Sequence, residues 1–405
     1  MSDLLIFRGR KKFLFLLFSL IAVIILAIAV HLITTANTLG IDFATFWLAA
    51  KSALFQGKSP YSQEVTNEAQ LFIYHRLANP GEDQVAFAYP FQAVFLIAPF
   101  AWMDFTWAQA FWMSLMIVAL LAALLLFNSQ CSPLFKLSFF FFYPVIFGVV
   151  LGNFAIFFTA VILFFFSQIY LSRSPSPVTQ IICAALLSFS AVKPQFSWAY
   201  LLLAGLIAIK FHYRLFLIVL LSFSTLQYIV AFFWRPSWFV EWLQALKAYS
   251  TYNKSDPTLL LYLQKFLPPN WVFPLAGILL TIFLFFLIYL VILWWKNKSP
   301  ITLLPAWLGF LTYLIHPHGI SYEQLTFLIP FFLWIVAGPS SKTIKFIWFS
   351  SIFLSWGLYL LSSNNLIPDA ANQYPFLFYS LWLAWFTVSG LKWRKLEITA
   401  PNPIN

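Results

Sequence analysis

Charge is what this sequence has least of. Only 9% of its 405 residues are Asp, Glu, Lys or Arg, and 12 carboxylates face 23 basic side chains. So few charges cannot keep a chain that is 62% hydrophobic in water as an ordinary globule. The two cysteines, Cys131 and Cys183, fall in an expected cytoplasmic turn and inside an expected span; a disulfide is not expected, and neither has metal-ligand spacing. No Gly-rich phosphate loop, dinucleotide fingerprint or Cys/His cluster interrupts the chain, which disfavours a nucleotide-driven enzyme. Nor is there an internal repeat of the kind that builds inverted-repeat transporters.

What the chain does have is apolar runs of spanning length from one end to the other. Lipid offers the backbone no hydrogen-bond partner, so only helices and closed barrels cross it, and these runs lack the alternation of barrel strands. The expectation is all-α: a polytopic membrane helical bundle, one integral domain over 1–405. The first run, about 13–33, follows Arg8, Arg10, Lys11 and Lys12. With no convincing small-x-small cleavage site after it, it reads as a retained span with a cytoplasmic N-terminus. Further spans are expected at roughly 106–127, 137–151, 154–171, 179–192, 196–209, 215–234, 272–295, 301–315, 323–338, 344–361 and 375–391, about twelve in all, with both termini cytoplasmic. Residues 88–102 are apolar but short and carry Pro90 and Pro99. Counting them as a span would put the basic turns outside, so they read as re-entrant or interfacial. In this threading Lys and Arg collect on the cytoplasmic side and most carboxylates outside. The net charge of +11 then follows from membrane topology and calls for no nucleic-acid partner. The expected location is the plasma (inner) membrane, with a first outer loop at 34–105 and a second large one at 235–271.

The chemically capable residues gather outside. Residues 40–61 read as a short amphipathic helix on the membrane surface, with Phe43, Phe46, Trp47, Ala50 and Leu54 as its apolar stripe. Asp42 takes the N-cap position and Gly57 the position past the end. A carboxylate there is a cap and dipole partner, or a general base, and the two roles are compatible. His316 and His318 flank Pro317 in a turn with Glu323 close behind. That turn reads as phosphate-binding or proton-handling, as a purely structural turn, or as a metal pair, although the spacing around the proline matches no standard zinc motif. Lys193, at the outer end of a short span, is a snorkelling anchor or a phosphate ligand joined by Arg235 or Lys254. Asn153 after Gly152 marks a tight turn or offers its amide to a sugar hydroxyl. Asn253-Lys-Ser255 and Asn297-Lys-Ser299 match the glycan-acceptor pattern, the second in a cytoplasmic turn where the modification does not occur.

Taken in order, these stretches resemble glycosyltransferase family 87. Asp42-Phe43, the helix after it and Gly57-Lys-Ser-Pro-Tyr61 resemble that family's first outer loop. Phe87-Ala-Tyr-Pro90 with Ala98-Pro99 is similar to its Tyr-Pro stretch, and Gly152-Asn153 stands where many members have Gly-Gln. Val192-Lys-Pro-Gln195 resembles its Lys-Pro turn, and His316-Pro-His-Gly319 through Pro330 its late outer turn and the helix after it. The resemblance implies a type-C membrane fold. It also implies inverting transfer of a hexose, mannose most often, from a polyprenyl-phosphate donor to a hydroxyl of a lipid-linked or cell-envelope glycan, with no cofactor. Asp42 matches the family's base. Tyr89, Asn153, Lys193, Gln195, Arg235, Lys254, His316 and His318 are the candidates for holding donor phosphate or sugar. Some type-C relatives carry an acidic pair with a metal, whereas a single carboxylate follows Ile41 here. That points to metal-independent chemistry, with Glu64, Glu68 and Asp369 as other sources of a second carboxylate. The rival class, a transporter or flippase of lipid-linked sugars, calls for charged groups at mid-membrane depth and for repeats.

Overall fold

The computed structural model describes residues 2–35, 39–127, 131–172, 174–252, 257–298, 302–316, 321–337, 342–367 and 370–399. Among them there are helices and no strand. The first five helices are α1 (Ser2–Thr34), α2 (Ile41–Phe55), α3 (Gln63–Tyr74), α4 (Gln92–Ala101) and α5 (Phe105–Leu126). Then come α6 (Pro133–Leu137), α7 (Tyr143–Leu151), α8 (Phe154–Phe165), α9 (Pro177–Ser188), α10 (Pro194–Lys210), α11 (Arg214–Trp234) and α12 (Trp238–Tyr252). The last group is α13 (Thr258–Phe266), α14 (Pro269–Trp295), α15 (Leu303–Ile315), α16 (Leu325–Ala337), α17 (Lys342–Ser363), α18 (Ala370–Gln373) and α19 (Pro375–Thr399).

Among the described residues, five helical stretches are long and apolar enough to cross a membrane: Leu17–Thr34, Phe105–Leu126, Arg214–Trp234, Pro269–Trp295 and Lys342–Ser363. Pro133–Phe141 with Tyr143–Leu151 makes a sixth if the pair is one span, bent by 64°. The bend has a local cause. Phe142 is extended (φ −66°, ψ 132°), and Pro144 just after it brings no N–H to continue the preceding turn. The segment expected to be re-entrant forms α4, whose ten residues rise only about 15 Å, half a bilayer core.

The chain packs as two compact units. The first comprises Met1–Leu126, Gly148–Phe164 and Leu221–Lys254; the second Phe127–Phe147, Phe165–Leu220 and Ser255–Asn405. In the first, α1 lies along α5, and α2 is wedged against α4 and α5. In the second, α15 packs on α16 and α10. The approach of α15 to α16 is close because Gly309 has no side chain: a Cβ there would overlap the Thr326 carbonyl oxygen. The Tyr200 hydroxyl, on α10, donates to that same oxygen. Between helices in lipid, contact dispersion and buried hydrogen bonds replace the hydrophobic effect as the main attraction, and such small-residue approaches supply both.

Candidate active site

The helix that carries Asp42 is not a surface helix. Phe43, Ala44, Phe46, Trp47, Ala49, Ala50, Ser52 and Ala53 are all buried, which covers nearly the whole circumference of α2. The expected stripe of Phe43, Phe46, Trp47 and Ala50 is inside, while Leu54 is only half-buried. The opposite face is made of alanine and serine, small enough for neighbouring helices to close on it. Rings fix the helix from the other side. Phe43 stacks on Trp112 (5.8 Å between centroids) and Phe105 (6.1 Å), and Phe46 stacks on Phe154 at 4.1 Å. Tyr89 stands edge-on to both Phe46 and Phe154. The Trp47 indole donates to the Met103 carbonyl at 3.2 Å, which ties α2 to the end of α4.

Asp42 is likewise displaced from its expected place. Gly40 is the N-cap, in the left-handed region at φ 72°, and Asp42 already lies within the first turn. The carboxylate therefore meets the positive end of the helix without capping it. The Gly40 N–H donates to the Val150 carbonyl at 2.8 Å, so the start of α2 is bound to the end of α7. Two residues beyond that carbonyl the chain turns through Gly152 (φ 71°), whose carbonyl accepts the Trp112 indole at 2.8 Å. The turn places Asn153 opposite Asp42. Its Nδ2 donates to Asp42 Oδ2 at 2.6 Å, and its Oδ1 accepts the Ala155 N–H at 2.9 Å, capping α8.

Two residues nominated separately, 111 apart in sequence, thus form one charge-assisted pair. Asn153 is 1% exposed and its amide is committed to Asp42 and the α8 backbone, not to a sugar hydroxyl. Asp42 remains partly exposed. The arrangement holds the carboxylate in one orientation, with access to solvent on the same residue. Gly152 is what permits it. A Cβ there would sit 2.6 Å from Phe43 Cβ, in a backbone conformation that L residues avoid. Gly152→Ala is expected to lower stability by about 2–3 kcal/mol, read as a lower thermal-unfolding midpoint in detergent.

The second unit holds a different cluster. Lys193 leaves a 3₁₀ turn (Phe189–Val192) and precedes α10, with Pro194 as the first helical residue. Its ammonium does not snorkel outward; it is 1% exposed and lies 2.5 Å from Glu323 Oε1. Glu323, 3% exposed, also meets His316 Nε2 at 3.0 Å through its other oxygen. The Tyr322 ring faces the ammonium at 4.7 Å. Next along, Gln324 is held by two bonds, donating to the Ala371 carbonyl at 2.7 Å and accepting the Tyr379 hydroxyl at 2.8 Å. Glu323 is the residue whose role the sequence reading underrated. Gln195 is half-buried in the first turn of α10.

Arg235 belongs to the first unit. It is not offered to solvent as a lone cation: Nε and an Nη donate to the two oxygens of Glu241 at 2.7 and 2.8 Å. Ser237 donates to the same carboxylate at 2.6 Å, and Ser59 donates to it as well. Burial pushes the Glu241 carboxyl up, but Arg235 and the two hydroxyls more than reverse this and hold it at about 2. A carboxyl lowered from its ordinary 4.5 stabilises the fold above that value and loses the contribution as pH falls toward 2. Amide protection in α12, corrected for the intrinsic exchange rate at each pH, is therefore expected to fall between about pH 4.5 and pH 2, and an Arg235→Met, Glu241→Leu pair to remove that step. Glu64 and Glu68 are engaged with Lys58, at 2.9 and 2.7 Å. Lys254, His318, Asp369 and the Asn253 glycan-acceptor pattern lie outside the described residues. Among the described residues no three His, Cys, Asp or Glu side chains converge in a way that could hold a metal ion.

No protein-family model, no curated protein and no solved structure matches the chain. The functional reading therefore rests on the residues and their geometry.

Proposed function

We propose that the chain is a membrane glycosyltransferase of the family-87 kind, moving a sugar from a polyprenyl-phosphate donor to a hydroxyl of a lipid-linked or cell-envelope glycan. Mannose is the sugar the resemblance favours. The observation that carries this reading is the Asp42–Asn153 pair: a partly exposed carboxylate at a helix start, oriented by a buried amide. Asp42 takes the proton from the acceptor hydroxyl as that oxygen attacks the anomeric carbon, and the lipid phosphate departs from the opposite face, inverting the centre. The Asn153 amide holds the carboxylate in place at the helix start. Lys193 and His316, the other candidates for the donor phosphate, are buried against Glu323 in the second unit and are given no step. The proposal keeps about twelve spans, with the first outer loop and the site on the extracytoplasmic face.

The test is made in sealed vesicles containing the purified chain and radiolabelled polyprenyl-phosphate sugars. A transferase forms a new glycosidic bond in membrane lipid extract, separable by chromatography. Movement of label between leaflets with no new bond would replace this reading with the flippase.

A further inference from the structure

A pocket of about 360 Å³ opens in the first unit, and neither Asp42 nor Asn153 lines it. It is lined by Ser59, Tyr61 and Ser62 from the loop after α2, and by Arg235, Glu241 and Gln244. Glu241, Gln244, Ala245 and Ala248 fall at helical spacing and give α12 one face toward it. The two alanines leave the space; the polar residues surround it.

The charge state of this pocket decides what it suits. Arg235 was a candidate phosphate ligand by sequence, but Glu241 meets its guanidinium through two parallel bonds, so the pair contributes no net charge. Both partners are still part-exposed, at 27% and 22% of their side chains. Gln244 has no side-chain hydrogen-bond partner among the described residues. Tyr61 donates its hydroxyl to the Tyr89 carbonyl at 2.9 Å, so it offers the pocket ring surface more than a polar tip. What the wall leaves open is the Gln244 amide, the guanidinium N–H groups of Arg235 not given to Glu241, and one aromatic ring, since the Ser59, Ser62 and Glu241 oxygens are already engaged. An anion would find its countercharge already engaged. A compound with several hydroxyls and no charge would find donors, acceptors and a ring. The volume lies at the small end of ligand cavities, which run about 300–1,000 Å³.

We infer that this pocket binds a neutral saccharide, one sugar residue of a glycan, through the Gln244 amide and the guanidinium N–H groups of Arg235 that Glu241 leaves free. The assignment stands on the pocket and not on the transferase reading, so each fails separately. Within that reading it gives the acceptor glycan a place to be held by a sugar that does not itself react.

The experiment measures binding alone. The full chain is placed in nanodiscs, because maltoside detergents present sugar headgroups of their own, and titrated with methyl glycosides of mannose, glucose and galactose by saturation-transfer NMR. Inorganic phosphate serves as the anionic probe. Saturable binding of at least one glycoside is expected, with no competition from phosphate. Gln244→Ala should weaken it about five- to tenfold, the loss of one hydrogen bond. Ala245→Phe, which fills the space without touching the ion pair, should abolish it while leaving the thermal-unfolding midpoint near wild type. Absence of saturable binding by the folded wild-type chain would overturn the inference. So would binding that phosphate displaces, or binding unchanged in both variants.

Discussion

Replacing Lys193 by methionine is expected to destabilise the chain by about 3–5 kcal/mol, because it strands Glu323 as a buried carboxylate with a histidine for its remaining partner. The charge is 3% exposed and cannot recruit water to make good the loss. The sign of the second step is the informative part. Removing both charges, with Lys193→Met and Glu323→Leu together, deletes the desolvation cost along with the attraction. The double variant should therefore be more stable than either single one. Thermal unfolding in detergent reads all three. If the single variants unfold at the wild-type midpoint, the pair is not buried as described.

Asp42→Asn should lower sugar transfer by about a hundred- to ten-thousand-fold, the usual worth of a positioned base. Asparagine is nearly the same shape and does not unpack α2, whose burial rests on Phe43, Phe46 and Trp47. What it removes is the negative charge and the proton acceptor. The amide it introduces also meets the Asn153 amide, so one of the two has to rotate to keep a donor on an acceptor. Asn153→Leu acts differently. It keeps the carboxylate but takes away the donor that holds it in one orientation, so kcat should fall while KM changes little. A change in KM alone would assign Asn153 to substrate contact instead of to holding Asp42.

The helical membrane class was legible because it rests on composition and run length, which lipid interprets strictly. The burial of α2 was not. A stripe at three- and four-residue spacing looks amphipathic, but the other face of this helix carries Ala44, Ala49, Ser52 and Ala53, which pack as readily as they face solvent. The better signal was the scarcity of charge, with only Asp42 and Lys51 ionisable between residues 41 and 55. Lys51 lies with its ammonium 4.5 Å from the Trp47 ring. Asp42, Asn153, Lys193 and His316 were each nominated by residue type and position, yet their partners depend on how distant turns meet. In a chain with 12 carboxylates, a lysine at the end of an apolar segment does require a countercharge. Periodicity does not say that Glu323 supplies it. Arg235 shows the converse: its cation was legible, but not that Glu241, six residues on, already holds it.

The central claim is that Asp42 is the base of a sugar transfer. The most direct measurement is single-turnover transfer by the purified chain in nanodiscs, from a radiolabelled polyprenyl-phosphate sugar to membrane lipid extract, with wild type and Asp42→Asn run side by side at matched unfolding midpoints. The account predicts a labelled glycolipid from wild type, formed at least about a hundredfold more slowly by the variant. Equal rates from the two would contradict it, and would leave the carboxylate as a structural partner of Asn153.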